Sequence, residues 1–170
     1  TLSRLNHPRI ARSLAYERSD ELDVLVMEMI EGQSLDTKIA SSRLSFDEAR
    51  DIARSIAEAL EVCHTRGVIH RDLKPSNIIV HPERGPVIVD FGVASLSSAM
   101  TLTQTGAIVG SPRYLAPELI VQHQPDRRAD VFSLGAILYE MVSGAPLRDV
   151  DSIAELALDQ PSLEPPSVAA

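Results

Sequence analysis

"HRDLKPSN", His70 to Asn77, sets four ionisable side chains and an amide within eight residues, and Pro75 forbids a helix through them. The stretch therefore reads as a loop that presents charge. Two apolar triplets follow, Ile78-Ile79-Val80 and Val87-Ile88-Val89, joined by "HPERGP" with the proline and glycine of a turn. This is a hairpin. Symmetric pairing of the triplets puts Val80 across from Val87 and Asn77 across from Asp90, so an amide and a carboxylate meet at the open end. "DFG", Asp90 to Gly92, ends the hairpin with a glycine that lets the chain turn and Asp90 face the loop.

Mg²⁺ takes oxygen ligands, usually one or two from the protein beside substrate phosphates, and Asn77 with Asp90 fits that demand. Asp72 lies five residues before Asn77 on the same stiffened loop, placed to accept a proton from a hydroxyl nucleophile. Lys74 adds a point charge for a phosphate. These parts point to phosphoryl transfer, where metal, charge and positioning supply most of the catalysis. Alone, an Asp-Leu-Lys reads as solvated surface and an Asp-Phe-Gly as a turn. Their order, their spacing and the "GSPRYLAPE" and "DVFSLG" that follow carry the inference.

Upstream, "DVLVMEM", Asp23 to Met29, is a short run rich in β-formers, read as a buried strand with another before it near Ala11 to Glu17. "IEGQSL" breaks it. Ser45 and Glu48 then form a capping box with Asp47 in the first turn, and Ile52, Ile56, Ala59, Leu60 and Cys63 repeat at helical spacing until Gly67. Downstream, Leu96 to Ile108 is rich in Ser and Thr without apolar period, an exposed loop of functional length. Asp126 to Ser143 resumes helical spacing through Val131, Leu134, Leu138 and Met141, and Gly144 is its stop. "DQPSLEPPSVAA" reads as a linker or a cut edge.

A chain of 170 residues supports one domain with one sizeable core. Sixteen basic against 24 acidic residues give a net charge of −8, which argues against a nucleic-acid surface. Cys63, the single cysteine, excludes an intrachain disulfide and fits a reducing compartment. The longest apolar stretch, "VFSLGAILYEMV", is interrupted by Glu140 and falls short of the roughly 18 residues of a membrane span. With no signal peptide visible, a cytoplasmic placement is expected, and a parent protein can be anchored through a segment outside this chain. The chain begins at Thr1 without methionine and reads as a fragment.

"HRDLKPSN", "DFG", "APE" and "DVFSLG" resemble the catalytic-loop to central-helix signature of eukaryotic-like Ser/Thr protein kinases. "LTQTGAIVGSPRYLAPE" is similar to the activation segments of the bacterial, Hanks-type members. The resemblance implies an α+β, protein-kinase-like fold, mostly the helical C-lobe with a remnant of the N-lobe sheet. Residues 1–30 would be the N-lobe remnant and hinge, 31–160 the C-lobe core and 161–170 the cut edge or linker.

By the same resemblance Asp72 is the catalytic base, Lys74 contacts the transferred phosphate, and Asn77 and Asp90 hold Mg²⁺. Met27 falls at the gatekeeper, the backbone of Glu28, Met29 and Ile30 borders the adenine of ATP, and Ile79 packs beneath it. Arg71 would receive an activation-loop phosphate, carried on Thr103 or Thr105. Lys74 together with Ser111 resembles serine/threonine rather than tyrosine specificity. Asp130 would brace the catalytic loop, Phe132 replaces a commoner tryptophan, and Glu118 normally pairs with an arginine for which this chain offers no candidate. The family's glycine-rich loop, its strand lysine and that lysine's glutamate belong before "LNHPRI", where only Thr1 to Arg4 stand. The 170 residues alone are therefore expected to show little or no activity.

The function implied is ATP-dependent phosphoryl transfer to Ser/Thr of protein substrates, with ATP and Mg²⁺ as cofactors. An alternative is a catalytically dead, kinase-like binding or scaffold module, against which Asp72, Lys74, Asn77 and Asp90 all argue. A small-molecule kinase is the third class. "GSPRYLAPE" disfavours it, because that segment resembles a platform for peptide substrates.

Overall fold

Ser45 opens the longest helix of the described residues, α2 (Phe46–His64), by accepting the Glu48 backbone N–H on its Oγ at 3.2 Å. Asp47 and Glu48 occupy the first turn, where carboxylates meet the positive end of the helix dipole. The predicted stripe of Ile52, Ile56, Ala59, Leu60 and Cys63 is buried throughout. The helix stops in a Schellman arrangement: Val68 N–H reaches Cys63 O and Gly67 N–H reaches His64 O, each at 3.0 Å. The computed structural model describes residues 5–18, 23–90, 112–121, 126–150 and 155. Thr103, Thr105 and Ser111, the Leu96 to Ile108 loop, Phe91, Gly92 and the C-terminal "DQPSLEPPSVAA" lie outside them.

α2 packs against the last long helix, α4 (Arg128–Ser143), which ends at Gly144 with an N–H donated to Glu140 O at 2.8 Å. The inward face of α4 differs from the sequence expectation. Val131 is 60% exposed, while Ala129, Asp130, Ser133, Ala136, Ile137 and Met141 are buried. Leu134 and Leu138 flank the core, partly buried. The reason lies in the two polar members: Ser133 Oγ donates to Tyr114 O at 2.8 Å, and Asp130 accepts from the loop described below. Satisfied polar groups can be buried, and a count of apolar residues does not register them.

The hairpin forms between β4 (Ile78–His81) and β5 (Gly85–Ile88), with the two-residue β3 (Gln33–Ser34) beside β4. Its register is one residue off the symmetric reading: Ile78 pairs with Ile88, Ile79 with Val87, Val80 with Pro86 and His81 with Gly85. Gly85 and Pro86 belong to the strand, and only 82–84 form the turn. A three-residue loop closed by a left-handed residue is a favoured hairpin, and Gly85 supplies that residue with a φ of 70°. His81 Nδ1 accepts the N–H groups of Glu83 and Arg84 at 3.1 and 3.0 Å and fixes the turn. Asn77 consequently faces Val89, whose N–H it receives at 2.9 Å, and not Asp90. Gly32, at a φ of 131°, lies where a Cβ would run into the Val80 carbonyl, which lets β3 approach β4.

The short helix α1 (Leu35–Ser41) has no counterpart in the sequence reading, since seven residues with only Leu35 buried give no period to detect. β1 (Ser13–Arg18) and β2 (Asp23–Met27) pair antiparallel, Tyr16 opposite Leu25. The expected burial of the second strand fails among the described residues, because Val24 and Val26 are 40% and 42% exposed. An apolar run states what a strand offers for burial and not what covers it. Before β1 the chain runs parallel to β5, with Ala11 N–H on Ile88 O at 2.9 Å and Ile88 N–H on Arg9 O at 2.8 Å.

One core joins α1, α2, α4 and the β4–β5 hairpin, including Ile10, Leu35, Ile56, Ile78, Ile88 and Met141. Glu118 opens the short α3 (Glu118–Val121), whose Leu119 packs with Ala116, Ala129 and Phe132 in a second cluster. The Arg148 guanidinium stacks 4.8 Å from the Phe132 ring centroid. No helix among the described residues is long and apolar enough to cross a membrane.

Candidate active site

Leu73 and Pro75 pin the "HRDLKPSN" loop: both are buried, Leu73 in the main core. Residues alternate there, so anchoring 73 and 75 turns Asp72 and Lys74 outward. Their side chains are 40% and 24% exposed and meet at 2.8 Å between Asp72 Oδ2 and Lys74 Nζ. Pro75–Asn77 form a 3-10 turn that leads directly into β4. Asn77, buried, donates its Nδ2 to the Asp72 carbonyl at 2.9 Å and to Asp72 Oδ2 at 3.4 Å. Its amide nitrogen is thereby spent on the loop, and its Oδ1 stays available as an oxygen donor.

Two further groups fix the loop from behind. Asp130 of α4, 1% exposed, takes the His70 N–H on Oδ2 and the Arg71 N–H on Oδ1, each at 2.9 Å. His64 Nε2 at the end of α2 lies 2.7 Å from the same Oδ2. Arg71 is held at a φ of 70°, a left-handed conformation that costs an arginine about 1–2 kcal/mol. Its side chain is exposed.

His70 is buried, and burial pulls its imidazole below the ordinary value of 6.5, against the charge of Asp130 and the Val89 carbonyl. The neutral ring has one arrangement that suits both neighbours: Nε2–H donates to Val89 O at 3.3 Å, and Nδ1 accepts the Asp72 N–H at 3.3 Å. The ring thus ties Asp72 to the end of the hairpin. Asp90 follows Val89 directly, exposed and at a φ of 58°, where the chain leaves the ladder.

Residues 1–164 match the family of the protein kinase domain. The chain belongs to the protein kinase family. It is 39% identical over 150 residues to "Serine/threonine-protein kinase PknA" of Mycobacterium tuberculosis, covering 85% of this chain and 35% of that protein. Over 166 residues it is 33% identical to "Serine/threonine-protein kinase PrkC" of Bacillus subtilis, covering 97% of this chain and 26% of that protein. The kinase chain thus spans roughly a third or a quarter of these relatives' length.

Within this kinase domain, Asp72, Lys74 and Asn77 lie in one hydrogen-bonded group, and Asp90 directly follows Val89, which donates its N–H to Asn77 O just past the end of β5. Ile79 is partly buried opposite Val87. Met27 ends β2 opposite Ser13, Met29 is 93% exposed, and Glu28 donates its N–H to Arg12 O at 2.9 Å. The sequence reading missed His64 and Arg84. His64 supports Asp130, and Arg84 in the β4–β5 turn contacts the Glu28 carboxylate at 3.4 Å. Neither sits in a local pattern; the one available signal was Asp130 itself, since a buried carboxylate requires partners.

Proposed function

We propose that this kinase domain carries out ATP-dependent phosphoryl transfer to serine or threonine of protein substrates. The observation that supports it most directly is the half-buried Asp72 carboxylate, held between Lys74 Nζ at 2.8 Å and Asn77 Nδ2 at 3.4 Å. A carboxylate so fixed, with one oxygen still open, suits a base that receives the proton of an attacking hydroxyl. Lys74 then serves a double purpose, orienting that carboxylate and offering positive charge to the phosphate in transfer. The backbone of residues 28–30, with Met27 and Ile79, borders the adenine in this reading.

The donor set fits Mg²⁺. Asn77 keeps its amide oxygen available and Asp90 adds an anionic oxygen, while no cluster of three His, Cys, Asp or Glu among the described residues could hold a metal alone. Two protein oxygens completed by nucleotide phosphates is the usual Mg²⁺ arrangement. When bound, the ion neutralises charge developing on the phosphates. Arg71, with its exposed side chain, is the residue to receive a phosphate on Thr103 or Thr105, by charge-assisted hydrogen bonds.

The test is transfer of γ-labelled phosphate from ATP to a mixed peptide library by the full-length protein, followed by phosphoamino-acid analysis. Label on serine and threonine is expected. Label on tyrosine alone, or transfer undiminished in Asp72→Asn, would overturn the reading.

A further inference from the structure

Glu28 follows β2 and is gripped from two sides. Its carboxylate accepts the Arg12 N–H at 3.1 Å and Arg12 Nε at 3.4 Å, and Arg84 Nη2 at 3.4 Å from the opposite element. Arg84 belongs to the turn of the β4–β5 hairpin, whose other end carries Asn77 and Asp90. The same guanidinium donates to Pro8 O at 2.8 and 3.3 Å, and the Arg9 guanidinium in turn donates to the Arg84 carbonyl.

Residues 8–12 form a splint. One part is bonded to β5 through Arg9, Ala11 and Ile88, and the last residue receives the Glu28 N–H at 2.9 Å. Arg84 to Glu28 closes the ring directly from hairpin turn to strand end. The two side chains are 33% and 17% exposed, so this contact is better shielded than the pairing with Arg12, which is 61% exposed. Burial pushes the Glu28 carboxyl up, but the Arg12 N–H and the Arg84 charge outweigh it and hold the group below the usual range.

We propose that Arg84 is a positioning residue: by gripping Glu28 it fixes the backbone of residues 28–30 relative to the hairpin that carries Asn77 and Asp90, and so sets nucleotide affinity. The inference rests on the nucleotide-bordering role proposed above for residues 28–30. Removing Arg84 leaves the backbone bonds of the splint in place, so the fold survives while the end of β2 loses its direct side-chain tie to the hairpin turn. Lysine retains the charge but lacks the fork that serves Pro8 and Glu28 together.

The experiment is calorimetric titration of full-length wild type, Arg84→Ala, Arg84→Lys, Glu28→Gln and the double Arg84→Ala/Glu28→Gln with a non-hydrolysable ATP analogue and Mg²⁺, alongside melting curves. Arg84→Ala is expected to weaken binding by about three- to tenfold, with Arg84→Lys in between and the double variant no worse than the worse single one. Turnover of Arg84→Ala and Arg84→Lys at saturating nucleotide should stay within about twofold. Equal affinity in wild type and every Arg84 variant, with only the melting temperature lowered, would overturn the positioning role and leave Arg84 as turn packing. Wild type that binds no nucleotide would instead overturn the functional reading, and the positioning role with it. Should Arg84→Ala fail to fold, Arg84→Lys and Glu28→Gln carry the same comparison.

Discussion

The Oδ1 of Asp130 receives the backbone N–H of Arg71 at 2.9 Å across 59 positions of sequence, and the arginine it holds has a φ of 70°. The companion oxygen takes the His70 N–H at 2.9 Å, so a single carboxylate on α4 dictates the backbone just before Asp72. Asp130→Ala strips both N–H groups and His64 of their acceptor at a buried site. The expected loss is about 2 to 5 kcal/mol in denaturant unfolding, with turnover reduced even where the protein stays folded. Asp130→Asn keeps one oxygen and should lose less; a stability within 0.5 kcal/mol of wild type for both, as a measured outcome, would show that the loop holds its shape by other means.

Asp72→Asn separates chemistry from binding. The asparagine oxygen can still accept from Lys74 and Asn77, whose bonds to Asp72 Oδ2 measure 2.8 and 3.4 Å, so the loop is expected to keep its conformation. What disappears is the basic oxygen. Turnover should fall by roughly 10²- to 10⁴-fold while nucleotide affinity changes little, and steady-state kinetics beside nucleotide titration read the two separately.

Asp90→Asn is the corresponding test of metal binding. Asparagine tolerates the left-handed backbone that Asp90 adopts at a φ of 58°, so the substitution removes charge without adding strain. The Mg²⁺ concentration for half-maximal activity should rise, with the melting temperature of the nucleotide-free protein close to wild type. An unchanged Mg²⁺ midpoint would remove Asp90 from the metal site.

Helix α2 was legible because three independent local signals agreed: the Ser45 cap, the Ile52 to Cys63 stripe and the Gly67 stop. The hairpin was legible as a hairpin but not in register, since whether Gly85 and Pro86 stand in the turn or the strand depends on backbone geometry rather than composition. On α4 the expected face was displaced because Asp130 and Ser133 go inside with their hydrogen bonds made. Loop chemistry sat within one short motif and could be read there. His64 meeting Asp130 and Arg84 meeting Glu28 join positions 66 and 56 residues apart, and no periodicity encodes such pairs.

The burial of His70 makes the stability of the fold depend on pH. In the unfolded chain an imidazole titrates near 6.5, whereas in the fold burial depresses the value and the charge of Asp130 opposes it only in part. Between those two values the unfolded chain binds a proton that the folded protein does not, so stability is fully present above about pH 6.5 and declines as pH falls through the window. Urea midpoints measured at about pH 7.5 and about pH 5.5 should therefore drop on acidification. His7 shifts in the same direction, through burial and then the charge of Arg9, so wild type alone does not isolate His70. His70→Phe does: it fills the buried volume with a ring that cannot titrate, and its midpoint should be lower at pH 7.5 but less dependent on pH. Activity should follow the same direction, because a proton on Nδ1 removes the acceptor of the Asp72 N–H, now at 3.3 Å. Parallel midpoint curves for wild type and His70→Phe would show that the ring keeps its ordinary affinity for protons inside the fold.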